Sequence, residues 1–357
     1  MKSASRLLGV LVAAAALATA GFSPTAHAVV KKEFNIAWTI YVGWMPWPYA
    51  ADAGIVKKWA DKYGITINIT QINDYVESIN QYTAGKFDGV TLTNMDALTI
   101  PAAGGVDTTA IIMGDFSNGN DGVVLKNAKT LSDIKGRKIN IVELSVSHYL
   151  LARGLASVHL KEKDIKTVNT SDADIVAAFK SPDSTAVVTW NPQLMEVKAE
   201  PKAVLVFDSS KIPGEIQDLM GINTETLRDN PSLGKALAGI WYETIALLQD
   251  QSEKGKAARE AMAKASGTDL AGFEAQLKTT RMFYTSKDAL AFTNGTELPK
   301  IMDLVRSFCF EHNLLGEHVK SKDAIGIAMP AGNLGSKQNV KLRFDPTYMQ
   351  LAADGKL

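Results

Sequence analysis

The segment Tyr41-Val-Gly-Trp-Met-Pro-Trp-Pro-Tyr49 decides the fold, because it joins a predicted strand to a predicted helix. Before it, residues 34–40 alternate between apolar and polar side chains and are rich in β-prone residues, which predicts a strand. After it, residues 49–63 repeat apolar side chains at helical spacing up to Gly64, which predicts a helix and its end. A strand, a loop and a helix in this order indicate an α/β fold.

The loop combines aromatic side chains with two prolines. Pro46 and Pro48 fix their own φ angles and restrict the residues before them, so the loop is stiff. Loops at the carboxyl ends of strands in open α/β sheets hold ligands. We therefore expect Tyr41, Trp44 and Trp47 to form a wall of a ligand pocket. The alternative is that each ring fills the core between layers.

Strands and helices then alternate in two successive blocks. A turn-rich run at 114–122 ends the first block, and a second crossover at 208–221 ends the second, after which the chain is mostly helical. The further strands are predicted at 65–70, 88–93, 109–113, 139–143, 186–190 and 204–207. Two blocks joined by two crossovers predict two α/β domains with a hinge and a ligand cleft between them. We assign residues 29–118 and 223–357 to lobe 1 and residues 119–222 to lobe 2.

The first 28 residues have the pattern of a signal peptide. Lys2 and Arg6 precede an apolar stretch at 7–20, and Ala26-His-Ala28 is a small-residue cleavage site. The apolar stretch is too short for a comfortable membrane span, so we expect it to be removed. No cysteine follows the cleavage site, which argues against a lipid anchor there. We expect an exported chain that begins near Val29.

Composition and motifs argue against several classes of function. The 357 residues include 38 lysines and arginines and 38 aspartates and glutamates, without a basic stripe, so we expect no nucleic-acid partner. The sequence contains no Gly-x-Ser-x-Gly elbow, no phosphate-binding glycine loop with lysine and no His-Glu-x-x-His motif. The histidines are scattered, and the one cysteine, Cys309, lies between two phenylalanines. We therefore predict no catalytic residue, no metal site and no cofactor.

Carboxylates and aromatic residues recur where the predicted strands end, and no lysine or arginine lies in these loops. Such a set favours a cationic or neutral ligand, because an anion recruits arginine, lysine or convergent backbone donors. A buried carboxylate, in contrast, recruits a cation or stays protonated. The candidate ligand-binding residues are Tyr41, Trp44, Trp47, Asn94, Asp96, Asp121, Glu143, Ser145, His148 and Trp190.

Each carboxylate also has a purely structural interpretation. Asp96 would cap the helix that it opens, Asp121 would hold the turn at the crossover, and Asp115 is assigned to its own loop. Glu143 ends an apolar strand, where a charge is costly unless it is paired, so it is the preferred ligand-binding carboxylate. We expect His148 at the start of a helix, hydrogen-bonded to Glu143.

With these loops identified, the chain resembles the periplasmic substrate-binding proteins of ABC transporters, of the nitrate, sulfonate and taurine type. The resemblance rests on Tyr82-Thr-Ala-Gly-Lys-Phe-Asp-Gly89, Thr93-Asn-Met-Asp-Ala97 and Leu131-Ser-Asp-Ile-Lys-Gly136. Within this type, Tyr41-Val-Gly-Trp-Met-Pro-Trp47, residues 115–122 and Trp190-Asn-Pro192 resemble the branch associated with urea carboxylase, whose expected ligands are urea and guanidine.

The resemblance implies a two-lobed type II periplasmic-binding-protein fold, in a periplasmic monomer that closes on a small solute. It also implies an ABC permease in the inner membrane as partner, and a binding protein instead of an enzyme. A related family of thiamine-pyrimidine synthesis enzymes shares the fold but uses a cysteine-rich motif, which a chain with Cys309 alone lacks.

Guanidinium is the ligand that we predict. It is planar and cationic and only donates hydrogen bonds, so it suits carboxylates in its plane and aromatic rings on its faces. Our hypothesis is that Glu143, with Asp96 or Asp121, accepts its N–H groups while the indoles of Trp44, Trp47 and Trp190 cover its faces. The alternatives are urea, an anion such as nitrate, a sulfonate or taurine, and an exported enzyme acting on a small amide or amidine.

Overall fold

Two mixed β-sheets organise the chain in the computed structural model, which describes residues 31–357. The strands are β1 Glu33–Trp38, β2 Thr66–Gln71, β3 Gly89–Thr93, β4 Thr108–Ser117, β5 Asp121–Lys126, β6 Lys138–Ile141, β7 Lys166–Asn169, β8 Ala186–Trp190, β9 Ala203–Asp208, β10 Gln217–Asn223, β11 Thr280–Met282, β12 Gly326–Ala328 and β13 Val340–Phe344. The larger sheet has the order β12-β13-β4-β10-β3-β1-β2, with β11 also paired to β4. The smaller sheet has the order β7-β6-β8-β5-β9. The predicted signal peptide at 1–28 lies outside the described residues.

Each sheet combines parallel strands with an antiparallel strand at a crossover. β10 runs antiparallel to β3 and β4 in the larger sheet, and β5 runs antiparallel to β8 and β9 in the smaller one. The chain enters the smaller sheet between Ser117 and Asp121 and returns between Asp208 and Gln217. A lobe boundary at residue 222 would place β10 with residues 119–222, whereas its hydrogen bonds join it to the larger sheet. If the two lobes are defined by the two sheets, the boundary at the end of lobe 2 therefore falls before Gln217.

Helices account for most of the remaining chain. They are α1 Pro46–Asp52, α2 Ile55–Lys62, α3 Tyr75–Thr83, α4 Asn94–Ala97, α5 Val146–Ser157, α6 Ile175–Lys180, α7 Gln193–Ala199, α8 Thr224–Asp229, α9 Pro231–Gln249, α10 Glu253–Ala265, α11 Leu270–Leu277, α12 Ser286–Thr293, α13 Glu297–Glu311 and α14 Thr347–Ala353. Shorter helical turns are Val42–Trp44, Leu98–Ala102, Leu131–Ile134, Glu162–Asp164 and Ser209–Lys211. Within residues 31–357, no helix combines the length and the apolar composition that a membrane crossing requires.

The aromatic segment after β1 is helical instead of being an open loop. Val42–Trp44 forms a tight helical turn, and α1 then begins at Pro46. Proline is tolerated in the first turn of a helix, because the N–H groups there have no partner within the helix. The predicted helix at 49–63 is two helices, since Gly54 has a φ of 74° and separates α1 from α2. The turn predicted at 114–122 is also shorter, because β4 continues to Ser117.

Close helix packing on the larger sheet depends on a small residue in α9. The indole of Trp59 on α2 lies against Gly239, where an added Cβ atom would approach the ring to 2.4 Å. Trp59 is fixed there by its Nε1–H, which donates to Glu243 Oε2 at 2.7 Å. Overpacking of this kind forces side chains off their rotamers or moves the backbone.

We predict that Gly239→Ala lowers the free energy of unfolding by about 1–3 kcal/mol, because the added methyl group displaces the Trp59 ring. Urea unfolding followed by tryptophan fluorescence measures this change. Lys264→Ala, at an exposed position near the end of α10, is the control and should stay within about 0.5 kcal/mol of the wild type. Equal stability of the two variants would contradict the packing described.

Candidate functional site

A small buried cavity lies where strands of the two sheets end. The centre of a water-sized sphere can occupy about 20 Å³ of this cavity. One water molecule needs about 10–15 Å³ on the same measure. The lining side chains are at most 5% exposed, so a solute held there is largely removed from solvent. The lining residues are Tyr41, Trp44, Tyr75, Thr93, Asp121, Val146, Trp190, Ile216 and Asp218.

Four aromatic rings form a continuous wall around this cavity. The ring centroids of Tyr41 and Trp44 are 5.0 Å apart, and those of Trp44 and Tyr75 are 5.9 Å apart. Tyr75, at the start of α3, also meets the Trp190 ring edge-on at 5.6 Å. Trp190 ends β8 of the smaller sheet, whereas the other three rings belong to elements around the larger sheet. Both sheets therefore contribute to one aromatic enclosure.

Two carboxyl groups face the same cavity from strands at the two crossovers. Asp121 is the first residue of β5 and pairs with Trp190 across the smaller sheet. Asp218 lies on β10, paired with Thr93 on one side and with Asp115 on the other. The Asp121 carboxylate accepts a hydrogen bond from the Ser117 hydroxyl. The ladder positions of Asp121 and Asp218 are thus set by the strands that connect the two sheets.

Two more buried aspartates stand behind the aromatic wall. Asp115 Oδ1 accepts a hydrogen bond from the Tyr41 hydroxyl at 2.8 Å. Asp96 Oδ2 accepts hydrogen bonds from the hydroxyls of Tyr75 at 2.7 Å and Thr93 at 2.8 Å. The other oxygen of each carboxyl group, Asp96 Oδ1 and Asp115 Oδ2, is buried with no N–H or O–H donor among residues 31–357. The hydroxyl groups of Tyr41 and Tyr75 thereby donate their hydrogen bonds to carboxylates and not to a solute in the cavity.

Burial controls the protonation of these groups. It raises the pKa of Asp96 to about 6 and the pKa of Asp115 and of Asp121 to about 7. The pKa of Asp218 lies well above its usual range, first because of burial and then because of the negative charge of Asp115. No lysine or arginine occurs among the lining residues, and none of these four aspartates forms an ion pair within the described chain. A bound cation would therefore favour the ionised carboxylates.

Gly43 allows the Tyr41 and Asp115 side chains to approach the backbone. A Cβ atom at this position would lie 2.4 Å from Tyr41 Cε1 and 2.5 Å from Asp115 Oδ2. Contacts that short are not tolerated, so a larger residue would displace one of these two groups.

Four of the predicted ligand-binding residues line the cavity: Tyr41, Trp44, Asp121 and Trp190. A fifth, Asp96, lies directly behind Tyr75 and Thr93. Asp96 does not cap α4, as its structural interpretation had it: Thr93 is the N-cap residue, and its Oγ1 accepts from the backbone N–H of Asp96.

Trp47 and Glu143 do not line this cavity, in contrast to the hypothesis that places them around one ligand. Trp47 packs against Trp241 of α9 at 5.3 Å and is a core residue, because α1 turns its ring toward the helices on the sheet. Glu143 lies in a half-buried surface loop, where it accepts a hydrogen bond from the Thr167 hydroxyl. A residue that follows a strand can point to the surface even when the strand itself is buried.

The three remaining predicted residues have structural roles. Asn94 holds the end of the return crossover where β10 begins, since its Nδ2 donates to Glu215 O and its Oδ1 accepts from Gln217 N, both at 3.1 Å. Ser145 caps α5, where its hydroxyl oxygen accepts from the backbone N–H of Ser147. His148 does not bond Glu143: its Nδ1 accepts from Leu144 N at 3.3 Å, and its Nε2 lies 3.4 Å from Glu162 Oε1.

The sequence analysis missed Tyr75, Thr93 and Asp218 as lining residues. Tyr75, Ile79 and Tyr82 repeat at helical spacing, which indicates a core face, but a ring at a helix start can face both the core and a cavity. Asp218 lies in the segment interpreted as a connection. The run from Gln217 to Asn223 does not alternate between polar and apolar residues, so periodicity gives no signal for a strand with an inward carboxylate there.

Comparison with known proteins identifies the family. The sequence pattern described as NMT1/THI5 like matches residues 49–240, which is more than half of the chain. The chain belongs to the NMT1/THI5-like family. Among curated relatives, a candidate binding protein of Brucella abortus is 30% identical over 103 residues, which cover 29% of this chain and 31% of the relative. The match thus spans about a third of the relative's length.

Two solved structures share the fold. The alkanesulfonate-binding protein SsuA from Xanthomonas axonopodis pv. citri, bound to MOPS, has a TM-score of 0.66 at 17% identity, covering 82% of this chain and 97% of the other. The periplasmic aliphatic sulphonate binding protein SsuA from Escherichia coli has a TM-score of 0.65 at 17% identity, covering 87% and 97%. The predicted α/β periplasmic-binding-protein fold of this family member is confirmed.

We predict that Asp121→Asn stabilises the unliganded protein more at pH 8 than at pH 5. Because the pKa of Asp121 in the fold is about 7 and its unfolded value is about 3.9, the folded chain holds an extra proton between these values. The stability that the protonated Asp121 carboxyl gives the folded wild type is therefore fully present below about pH 4 and is lost as the pH rises through about 7. The variant should gain up to about 4 kcal/mol relative to wild type at pH 8, at about 1.4 kcal/mol per pKa unit.

Urea unfolding at pH 5 and pH 8 without added ligand measures this difference. Asp133→Asn is the matched control, because backbone N–H groups of Lys129 and Thr130 lower the pKa of this exposed carboxyl group. Its effect should be the same at both pH values. A pH-independent effect of Asp121→Asn would show that Asp121 is ionised throughout this range in the empty cavity.

Proposed function

We propose that this protein is the solute-binding component of an ABC importer and that it captures guanidinium in the cavity enclosed by Tyr41, Trp44, Tyr75 and Trp190. The observation that carries the proposal is the pairing of Asp121 and Asp218 with four aromatic rings in a cavity that no lysine or arginine lines. Buried carboxylates without a cationic partner are costly, and a cation removes that cost.

The chemistry of the cavity matches a planar cation that only donates hydrogen bonds. Asp121 and Asp218 accept from its N–H groups, and each charge-assisted hydrogen bond contributes about 1.5–3 kcal/mol. A cation over an indole or phenol face adds roughly 2 kcal/mol when water is excluded. The cavity volume of about 20 Å³ corresponds to one or two water molecules, so it suits only a very small solute.

Guanidinium fits these groups better than urea or an anion does. Urea must also receive hydrogen bonds at its oxygen, whereas the hydroxyls of Tyr41, Tyr75 and Thr93 donate to Asp115 and Asp96. A sulfonate, the ligand class named for both SsuA proteins, needs cationic or N–H donors and would meet Asp121 and Asp218 instead.

The transport role rests on the family resemblance and on the fold. We propose a monomer with two lobes that close on the solute, exported to the periplasm by a cleaved signal peptide without a lipid anchor, and an inner-membrane permease as partner. The two crossovers, at 118–120 and 209–216, then form the hinge. We propose binding without turnover, so the solute leaves unchanged.

Titration calorimetry on the purified protein with guanidinium, urea, nitrate and taurine tests the proposal. We predict that guanidinium binds at least about tenfold more tightly than urea, since one charge-assisted contact supplies at least about 1.4 kcal/mol. Asp121→Asn should weaken guanidinium by about tenfold to a hundredfold and urea by less, because it removes a charge and keeps the side-chain shape.

Glu143→Gln is the matched control, because it neutralises a carboxylate that the structure places outside the cavity. Its affinity for guanidinium should equal that of the wild type. Preference for nitrate or taurine would overturn the cationic ligand. Release of ammonia or another product from guanidinium or an amide during incubation would instead support the alternative of an exported enzyme.

A further inference from the structure

Two of the buried carboxyl groups face each other across neighbouring strands. Asp115 on β4 and Asp218 on β10 are directly opposite in the antiparallel ladder. Asp218 lines the cavity, whereas Asp115 lies behind Asp218 and is not a lining residue. Both side chains are buried, and the negative charge of Asp115 raises the pKa of Asp218, so the two carboxyl groups are electrostatic neighbours.

The position of this pair, two buried carboxyl groups on directly opposite ladder residues, favours a proton on one of them. Asp115 Oδ1 is occupied by the Tyr41 hydroxyl, and Asp115 Oδ2 has no N–H or O–H donor in the described part of the chain. Two ionised carboxylates cannot hydrogen-bond to each other, because neither has a hydrogen to donate. A proton on either group supplies the missing donor and removes the repulsion between two adjacent buried charges.

The other charged groups around the pair do not replace this proton. Tyr41 donates to Asp115, and Asp121 adds negative charge from β5. On β11, Met282 is the residue opposite Asp115, and the neighbouring Arg281 is exposed. Tyr284, which follows β11, is a neutral phenol whose pKa is raised by burial and by Asp115. No cation from these elements is buried against the pair.

We infer that the Asp115–Asp218 pair exchanges a proton for the captured cation. This inference rests on the proposed function. When guanidinium enters, an O–H bond of the pair breaks and the proton passes to solvent. The electron pair stays on the carboxylate, which accepts an N–H of the cation. One positive charge enters as one leaves, so the net charge of the cavity is unchanged.

The two aspartates have different roles in this exchange. Asp218 contacts the cation, and Asp115 is a positioning residue that sets how readily Asp218 ionises. A neutral solute such as urea gains nothing from the released proton, so its binding does not depend on this equilibrium. The pair therefore makes selection for the cation stronger as the pH rises.

Calorimetry of guanidinium binding at pH 6, 7 and 8, repeated at pH 6 in buffers of different ionisation enthalpy, counts the released protons. The wild type should release at least one proton at pH 6, because Asp121, whose pKa is also about 7, adds to the proton of the pair, and it should lose at least about tenfold in affinity from pH 7 to pH 6. Urea affinity should stay constant over the same range.

Two variants assign the proton to the pair. In Asp115→Asn the amide is a permanent donor to Asp218, so proton release should fall by about half or more while guanidinium still binds. In Tyr41→Phe the ionised pair loses a donor, so the pH at which affinity rises should move upward. Glu143→Gln is the control and should keep the wild-type profile.

The outcomes separate this inference from the proposed function. Failure of guanidinium to bind at any pH overturns the proposed function. Binding that is independent of pH and releases no proton overturns the exchange and leaves the proposed function standing. A wild-type pH profile in both Asp115→Asn and Tyr41→Phe overturns the assignment to this pair, and if Asp115→Asn fails to fold, Tyr41→Phe alone decides.

Discussion

Removal of carboxyl groups from water is the constraint on which the site depends. Asp121 and Asp218 face a cavity enclosed by aromatic rings, with Asp115 and Asp96 directly behind them. A buried carboxylate costs several kcal/mol unless it is paired or protonated. This fold supplies hydroxyl donors and raised pKa values where other proteins supply arginine or lysine. The raised pKa values therefore leave part of this set of acids neutral near pH 7, and a cation is the ligand that favours their ionised forms.

The strand topology places these acids at the connections between the sheets. Asp121 opens β5 immediately after the first crossover, and its partner Ser117 closes β4 immediately before it. The Ser117 hydroxyl also meets the Ser209 hydroxyl of the return connection at 2.6 Å, and Gly119 N donates to Ser209 Oγ at 2.8 Å. A cavity carboxylate is thus linked by hydrogen bonds to both crossovers. Any change in its charge acts on the residues that join the two sheets.

The sequence predicted the fold well because its information is periodic. Strand alternation located β1, β2 and β3 within a few residues, and α2 ends at Lys62, close to the predicted helix end at Gly64. The segment at 41–49 was harder, since two prolines fit equally well in a loop and in the first turn of a helix.

The site was predicted in part, for reasons that particular residues illustrate. Trp190 and Asp121 end and begin strands, so their position along the chain indicates the edge of the sheet where they meet. Trp44 and Trp47 are only three residues apart, yet one ring lines the cavity and the other packs on Trp241. The direction in which each ring points depends on how the short helical segments are rotated about their axes, and composition does not reveal that rotation. Pairing of Asp115 with Asp218 depends on a ladder between strands about a hundred residues apart in the chain, which periodicity alone cannot reveal.

A crystal structure of the protein grown with guanidinium tests the central claim most directly. The account predicts flat density between the rings of the enclosure, within hydrogen-bonding distance of Asp121 and Asp218. Density for the cation elsewhere, or a lysine or arginine side chain reaching into the same space, would contradict it.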